Sequence, residues 1–384
     1  MAIGLSERHQ WVLQSEIRSM SIECDRLGGI NLSQGVCDTE VPLVARRGVH
    51  QAMDEGVNTY THYAGLLELR EAIADKHKRF YGIDIDPASE IIVSGGSTGA
   101  FYCACLALLN PGDEVILFEP FYGYHVQTLV ATGAVPLYVR MHPPDWSFAI
   151  EDLEGVVTDR TRGIMINSPA NPSGKVFSIE ELQKIAEFSE RHDLFVFTDE
   201  IYEHFLYDEG LHIPPMTLPG MRERTITISG LSKTFSITGW RIGYSICDAR
   251  WSQTIGHFND LVYVCAPAPL QMGVAKALVA LHEDYYRKLA VEYKNKREKI
   301  CAALAGAGLA PFVPQGAYYV LADTSRLPGA DSKEKAMYLL RKTGVACVPG
   351  QAFYHDASGK DLARFCFAKE EHILDEACRR IENL

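Results

Sequence analysis

Five short apolar runs, each closing in a turn of small or polar residues, constrain the fold of this chain more than any other feature. They are residues 90–94 (EIIVS), 114–118 (EVILF), 163–166 (GIMI), 194–197 (LFVF) and 225–228 (TITI). Longer stretches with helical patterning separate them, which is the signature of βαβ units around a mostly parallel sheet. The turns that follow hold Gly95 to Gly99, Glu119 to Tyr122, Asn167 to Gly174, Thr198 to Tyr202, and the loop carrying Lys233. In open α/β sheets ligands sit beyond the carboxyl ends of the strands, so all five turns are expected to converge on one crevice.

The two ends of the chain read differently. Residues 1–45 and 275–384 carry amphipathic helices, such as 284–303, and a few short strands, such as 316–321. They are expected to form a smaller α+β domain built from both ends, with residues 46–274 as the large domain. No internal repeat or low-complexity linker interrupts this division.

Composition narrows the partners. A chain of 384 residues with 47% hydrophobic and 22% charged content is a globular protein, and a net charge of −12 speaks against nucleic acid or an anionic membrane as partner. The ten cysteines are scattered without a C-x-x-C pair, so neither a metal site nor a disulfide framework is expected. A polar N-terminus and the lack of any long apolar run point to a cytoplasmic protein whose ligand is a small molecule.

The turns carry specific chemistry. Lys233 closes an apolar strand inside a small-residue loop, where a lysine uncharged at its tip can act as an amine nucleophile. Gly95 to Gly99 opens a helix, and its backbone N–H groups with the Ser97 and Thr98 hydroxyls suit a phosphate. The turn fits neither the dinucleotide pattern nor the P-loop. Asp199 follows an apolar tetrad, where a carboxylate needs a helix N-terminus or a cationic partner. A pyridine ring bearing a phosphate and an aldehyde would engage all of these groups together. The lysine condenses with the aldehyde, the glycine turn and a guanidinium hold the phosphate, and the carboxylate keeps the ring nitrogen protonated.

Three motifs occur in a familiar order: Ser168 to Gly174 (SPANPSG), Asp199 to Tyr202 (DEIY), and Ser232 to Gly243 (SKTFSITGWRIG). With Asn31 to Gly35, the segment from Tyr60 to Arg70, and Arg364 to Ala368, they make the chain resemble a pyridoxal-phosphate-dependent aminotransferase of class I/II, fold type I, over nearly its whole length. The resemblance implies pyridoxal 5'-phosphate as cofactor. It also implies ping-pong transfer of an amino group from an L-amino acid to a 2-oxo acid through a Schiff base on Lys233. It makes Asp199 the partner of the ring nitrogen, Asn171 and Tyr202 the partners of the ring hydroxyl, and Tyr122 the stacked aromatic. Gly96, Ser97, Thr98, Ser232 and Arg241 become the phosphate site, with Tyr60 reaching the phosphate of a neighbouring subunit in a homodimer. Gly35, Asn171 and Arg364 are then the contacts to the substrate, Arg364 clamping its α-carboxylate.

Two departures stand out. Gly230 occupies the position, three before the lysine, where the family often has a phosphate-binding serine, and Ser229 or Ser232 could compensate. Thr98 stands where a related branch of aspartate aminotransferases has lysine, so the resemblance does not imply aspartate as donor. Tyr63, Tyr122, Tyr124, Tyr318 and Phe353 are the candidates for a side-chain pocket. Two other functions fit parts of the pattern: a β-eliminating C–S lyase on the same cofactor, and a non-catalytic regulator on the same fold.

Overall fold

The computed structural model of the protein describes residues 4–10, 12, 14–208 and 210–384. Helix α1 (Glu16–Leu27) starts at a Ser15 cap and stops at Gly28, whose φ of +62° is open to glycine at no steric cost. After it come β1 (Ile30–Asn31), α2 (Leu43–Asp54) and α3 (Leu67–Tyr81). The central stretch then alternates β2 (Ile91–Gly95), α4 (Gly96–Leu108), β3 (Glu114–Glu119), α5 (Gly123–Thr132), β4 (Val135–Arg140), α6 (Ile150–Val156), β5 (Thr161–Asn167), α7 (Ile179–Arg191) and β6 (Phe195–Asp199). It closes with β7 (Thr225–Gly230), β8 (Ile242–Ile246), α8 (Ala249–Tyr263) and α9 (Ala268–Ala280).

Seven of these strands make one sheet in the order β2-β8-β7-β6-β5-β3-β4. Strand β8 is antiparallel to both neighbours, so β2 and β7 point the same way, and β3 to β7 pair in parallel throughout. All five apolar runs read from the sequence therefore share one direction, in the mostly parallel sheet expected of fold type I. Helices cover both faces, so β3, β5 and β6 carry continuous apolar stretches at 115–118, 164–166 and 195–197, while β7 alternates threonine with isoleucine and buries both. The sequence reading did not mark two strands. β4 is a half-exposed edge strand that tolerates Pro136, and β8 mixes Gly243, Tyr244 and Ser245 into its run.

The C-terminal part holds α10 (Glu283–Gly306), β9 (Ala310–Phe312), β10 (Tyr319–Asp323), α11 (Ser332–Thr343), β11 (Val345–Ala346), β12 (Val348–Pro349), β13 (Leu362–Cys366) and α12 (Glu371–Glu382). Four strands form an antiparallel sheet, β12-β13-β10-β9. The strand expected over 316–321 begins at Tyr319 instead, because Ala317 sits at φ +58° and breaks the extended run. The two chain ends meet where β1 pairs in parallel with β11, Ile30 beside Val345 and Asn31 beside Ala346. Among the described residues no helix is long and apolar enough to cross a membrane.

Candidate active site

A cleft of about 450 Å³ opens at the carboxyl ends of the parallel strands. Every predicted site residue except Gly96 and Tyr60 lines it.

Gly96 lies immediately behind the lining and explains itself by space. It stands at φ +80°, and a Cβ there would fall 2.2 Å from Arg241 Nη2. A Cβ on Gly243 would likewise fall 2.4 Å from the Ser97 nitrogen. The glycines thus let strand β8 and Arg241 close against the first turn of α4. Arg241 itself adopts φ +58°, an uncommon conformation for a side-chain-bearing residue. Its guanidinium donates to Thr238 O at 2.9 Å and Gly95 O at 3.2 Å. No side chain caps α4. Its first N–H groups, the hydroxyls of Ser97 and Thr98, and this guanidinium together make a cradle for an anion.

Asp199 ends β6 in the cleft wall. Its Oδ1 accepts from Ile201 N at 3.2 Å, holding the turn, and its Oδ2 accepts from His125 Nε2 at 2.9 Å. The side chain that meets this buried carboxylate is thus His125 on α5, which the sequence reading missed. The available signal was a single histidine three residues after Tyr122, in the first turn of the helix that follows. The two rings meet edge-on, 5.2 Å apart.

Arg364 reaches the cleft from β13 and is wholly buried. Nη1 donates to Asn171 Oδ1 at 2.8 Å, Nη2 donates to Ser33 O, and the plane lies over the Tyr319 ring at 4.3 Å. Its Nε has no protein partner among the described residues. A buried guanidinium with donors to spare suits a carboxylate. Asn171 is itself held by Asn167 Oδ1, which accepts its backbone N–H at 2.8 Å.

Lys233 is half-buried, and burial lowers its ammonium pKa. Its Nζ donates to Gly35 O at 2.9 Å, an oxygen that also accepts from Tyr318 Oη at 3.1 Å. A side chain at Gly35 would displace Tyr319, since a Cβ would fall 1.9 Å from Tyr319 Oη. Tyr202 Oη lies 2.9 Å from Tyr319 Oη, and burial pushes its phenol well above the ordinary value. The segment beneath Tyr202 is fixed by buried acids. Glu203 takes Lys76 Nζ, Tyr81 Oη and Ser229 Oγ, while Glu200 takes His212 and Thr198.

That arrangement corrects one expectation. Ser229 cannot replace a serine at position 230, because its hydroxyl points to Glu203 at 3.1 Å on the far side of the strand. Ser232 does line the cleft. Gly230 is glycine because a Cβ would lie 3.0 Å from both Gly243 Cα and Ile242 O. Among the side-chain pocket candidates, Tyr122 and Tyr124 line the cleft and stack at 5.3 Å. Tyr318 and Phe353 are buried behind it, and Tyr63 packs against His62 and His257. Tyr60 is 81% exposed and does not line this chain's own cleft. Ile17 and Arg18 of α1, absent from the sequence reading, complete the rim.

Residues 28–381 match the family model described as aminotransferase class I and II. The probable N-succinyldiaminopimelate aminotransferase DapC of Mycobacterium tuberculosis is 37% identical over 376 residues, covering 95% of this chain and 94% of that protein. An aspartate aminotransferase of Pyrococcus abyssi is 34% identical over 388 residues, covering 100% and 98%. The solved structure of the M. tuberculosis N-succinyldiaminopimelate aminotransferase superposes with a TM-score of 0.95 at 36% identity, covering 99% of this chain and 100% of that one.

Proposed function

The chain belongs to the aminotransferase class I and II family, and from that premise we propose which of its residues carry the reaction. The enzyme is a pyridoxal-phosphate-dependent aminotransferase, with an amino acid and a 2-oxo acid as substrates. The cleft fits the cofactor: an uncapped helix start beside Arg241 for a phosphate, a buried carboxylate for a ring nitrogen, and an amine whose pKa is lowered. When bound, the cofactor supplies an electron sink for the substrate Cα and a carrier for its amino group.

Each residue then has a task. Arg241, Gly96, Ser97, Thr98 and Ser232 bind the phosphate, and Tyr122 lies against the ring. Asp199, oriented by His125, holds the ring nitrogen in its protonated form, while Asn171 and Tyr202 hold the ring hydroxyl. Arg364 and Gly35 seat the substrate α-carboxylate and so set which Cα bond faces Lys233. Lys233 takes the Cα proton and delivers it on the other side of the transfer, a task for which an amine of lowered pKa is suited. The exposed Tyr60 belongs to the site of a second copy, making the functional unit a homodimer.

Residues 46–274 act as the large cofactor-binding domain, and residues 1–45 with 275–384 as the small one. The ten free cysteines suit a reducing cytoplasm.

The observation carrying this reading is the convergence of Lys233, Asp199, Arg241 and Arg364 on one cleft. Borohydride reduction of the holoenzyme followed by peptide mass mapping tests it. The cofactor mass should appear on the peptide holding Lys233, and its appearance on another lysine would overturn the assignment.

A further inference from the structure

Four cations line the cleft: Arg18, Lys233, Arg241 and Arg364. Three are engaged by the protein, Lys233 on Gly35 O, Arg241 on Thr238 O and Gly95 O, and Arg364 on Asn171 and Ser33. The guanidinium of Arg18 has no hydrogen bond or ion pair to any described residue, and among the described residues Asp199 is the sole acid in the lining. On the reading above, the other three cations face an aldehyde carbon, a phosphate and an α-carboxylate. Arg18 is left with positive charge and no anion to meet.

The backbone beneath Arg18 is nonetheless held firmly. Ser15 caps the helix by accepting Arg18 N, Lys333 Nζ bridges Glu16 and Ser19, and the partly buried Ile17 packs against the hydrophobic core. One turn further, Ser21 Oγ meets Ser33 Oγ at 3.3 Å, and the carbonyl of Ser33 is the one that holds Arg364. Arg18 and Arg364 are therefore carried on connected backbone, one guanidinium buried and spoken for, the other free at the rim. The remaining rim groups Gln34, Thr98 and Tyr124 are neutral, so nothing there repels a second negative charge.

We propose that Arg18 is a specificity-determining residue that binds the distal carboxylate of a dicarboxylic amino acid or 2-oxo acid whose α-carboxylate is seated by Arg364. This rests on the assignment of Arg364 to the α-carboxylate. Arginine suits the task because its planar fork meets a carboxylate through two parallel hydrogen bonds. The rim is open to water, so the contact discriminates between substrates while remaining sensitive to salt.

The test uses the holoenzyme and two matched pairs, glutamate against glutamine as donors and 2-oxoglutarate against 2-oxobutyrate as acceptors. The wild type should favour the dicarboxylic member of each pair in kcat/KM. Arg18→Gln should cut that preference by about 10- to 100-fold, the worth of a charged hydrogen bond, mainly through KM. Arg18→Lys should retain part of it, and raising the salt should narrow it in the wild type but not in Arg18→Gln. Calorimetric titration with succinate and propionate gives a readout independent of turnover: Arg18→Gln should lose the selectivity for succinate. Equal preference in wild type and Arg18→Gln, in kinetics and in binding, would overturn the proposal. Arg364→Ala separates the two layers of the inference. It should weaken both members of each pair, and if it spared both, the α-carboxylate assignment would fall and Arg18 with it.

Discussion

His125 and Asp199 share one hydrogen bond, Nε2 to Oδ2 at 2.9 Å, with side chains only 7% and 8% exposed. Among the described residues it is the one hydrogen bond from a side chain to the Asp199 carboxylate, whose other oxygen is used by the turn it begins. The imidazole therefore fixes the direction in which this acid faces the cleft. Replacing His125 by Ala leaves the carboxylate buried without that donor. We expect kcat to fall by about 10- to 100-fold, with cofactor affinity also reduced, and His125→Asn to recover part of the loss. Steady-state kinetics together with cofactor titration of the apoenzyme checks this.

Burial lowers the pKa of Lys233, so between its folded and unfolded values the unfolded chain binds more protons than the folded one. Folding stability must rise with pH across that window, and the charged form is a burden below it. Lys233→Met should abolish transamination yet raise the melting temperature of the cofactor-free protein at pH 7. The gain should shrink as the pH climbs toward the ordinary lysine value of about 10.4. Thermal melts of both apoproteins from pH 7 to 10.5 decide it.

Introducing a serine at Gly230 should not add a phosphate contact. Its Cβ would press on Gly243 Cα and Ile242 O at 3.0 Å, both backbone atoms in a paired strand. The expected cost is about 1–3 kcal/mol, which for a chain of this size lowers the melting temperature by a few degrees. Cofactor affinity should drop as well, because Gly243 abuts the start of α4.

Lys76 and Glu203 form an ion pair whose side chains are almost entirely buried. Burial alone would push the Glu203 carboxyl up, but Lys76 and the neighbouring histidines hold it below the usual range. A depressed carboxylate contributes stability above its unfolded value of about 4.3, and that contribution is lost as the pH falls through the folded value. Lys76→Met should cost about 3–5 kcal/mol at pH 7 by stranding the carboxylate, and should move acid unfolding to higher pH. Adding Glu203→Leu to that variant should restore much of the loss. Urea unfolding at pH 7 and acid titration of the three proteins give the answer.

Much of the cleft could be read from the residue order because the buried parallel strands stand out as short runs rich in apolar residues, and their ends are marked by glycine, proline and acids. That is how the turns bearing Gly96, Asn171, Asp199 and Lys233 were found together. Strand β8 escaped because its glycine and serine serve close packing against β7 and α4, which local pattern does not reveal. His125 escaped for a related reason. Its partner lies 74 positions away, and a histidine in a helix carries no local mark of the acid it will meet. Ser229 misled for the same cause: its serine character was visible, but the face of β7 from which it points was not. Arg18 lay outside every recognised motif, and only the closure of α1 over the cleft brings it to the rim.

The pairing of β1 with β11, and the grip of Arg364 on Ser33, tie a segment made early in synthesis to one made last. By the time Lys233 has left the ribosome, every strand of the seven-stranded sheet except β8 is in the emerged chain. Arg364 is 131 residues behind, about ten seconds of translation. The cleft is therefore completed only when the last strand of the chain, β13, has been made and has met the segment that follows the first helix.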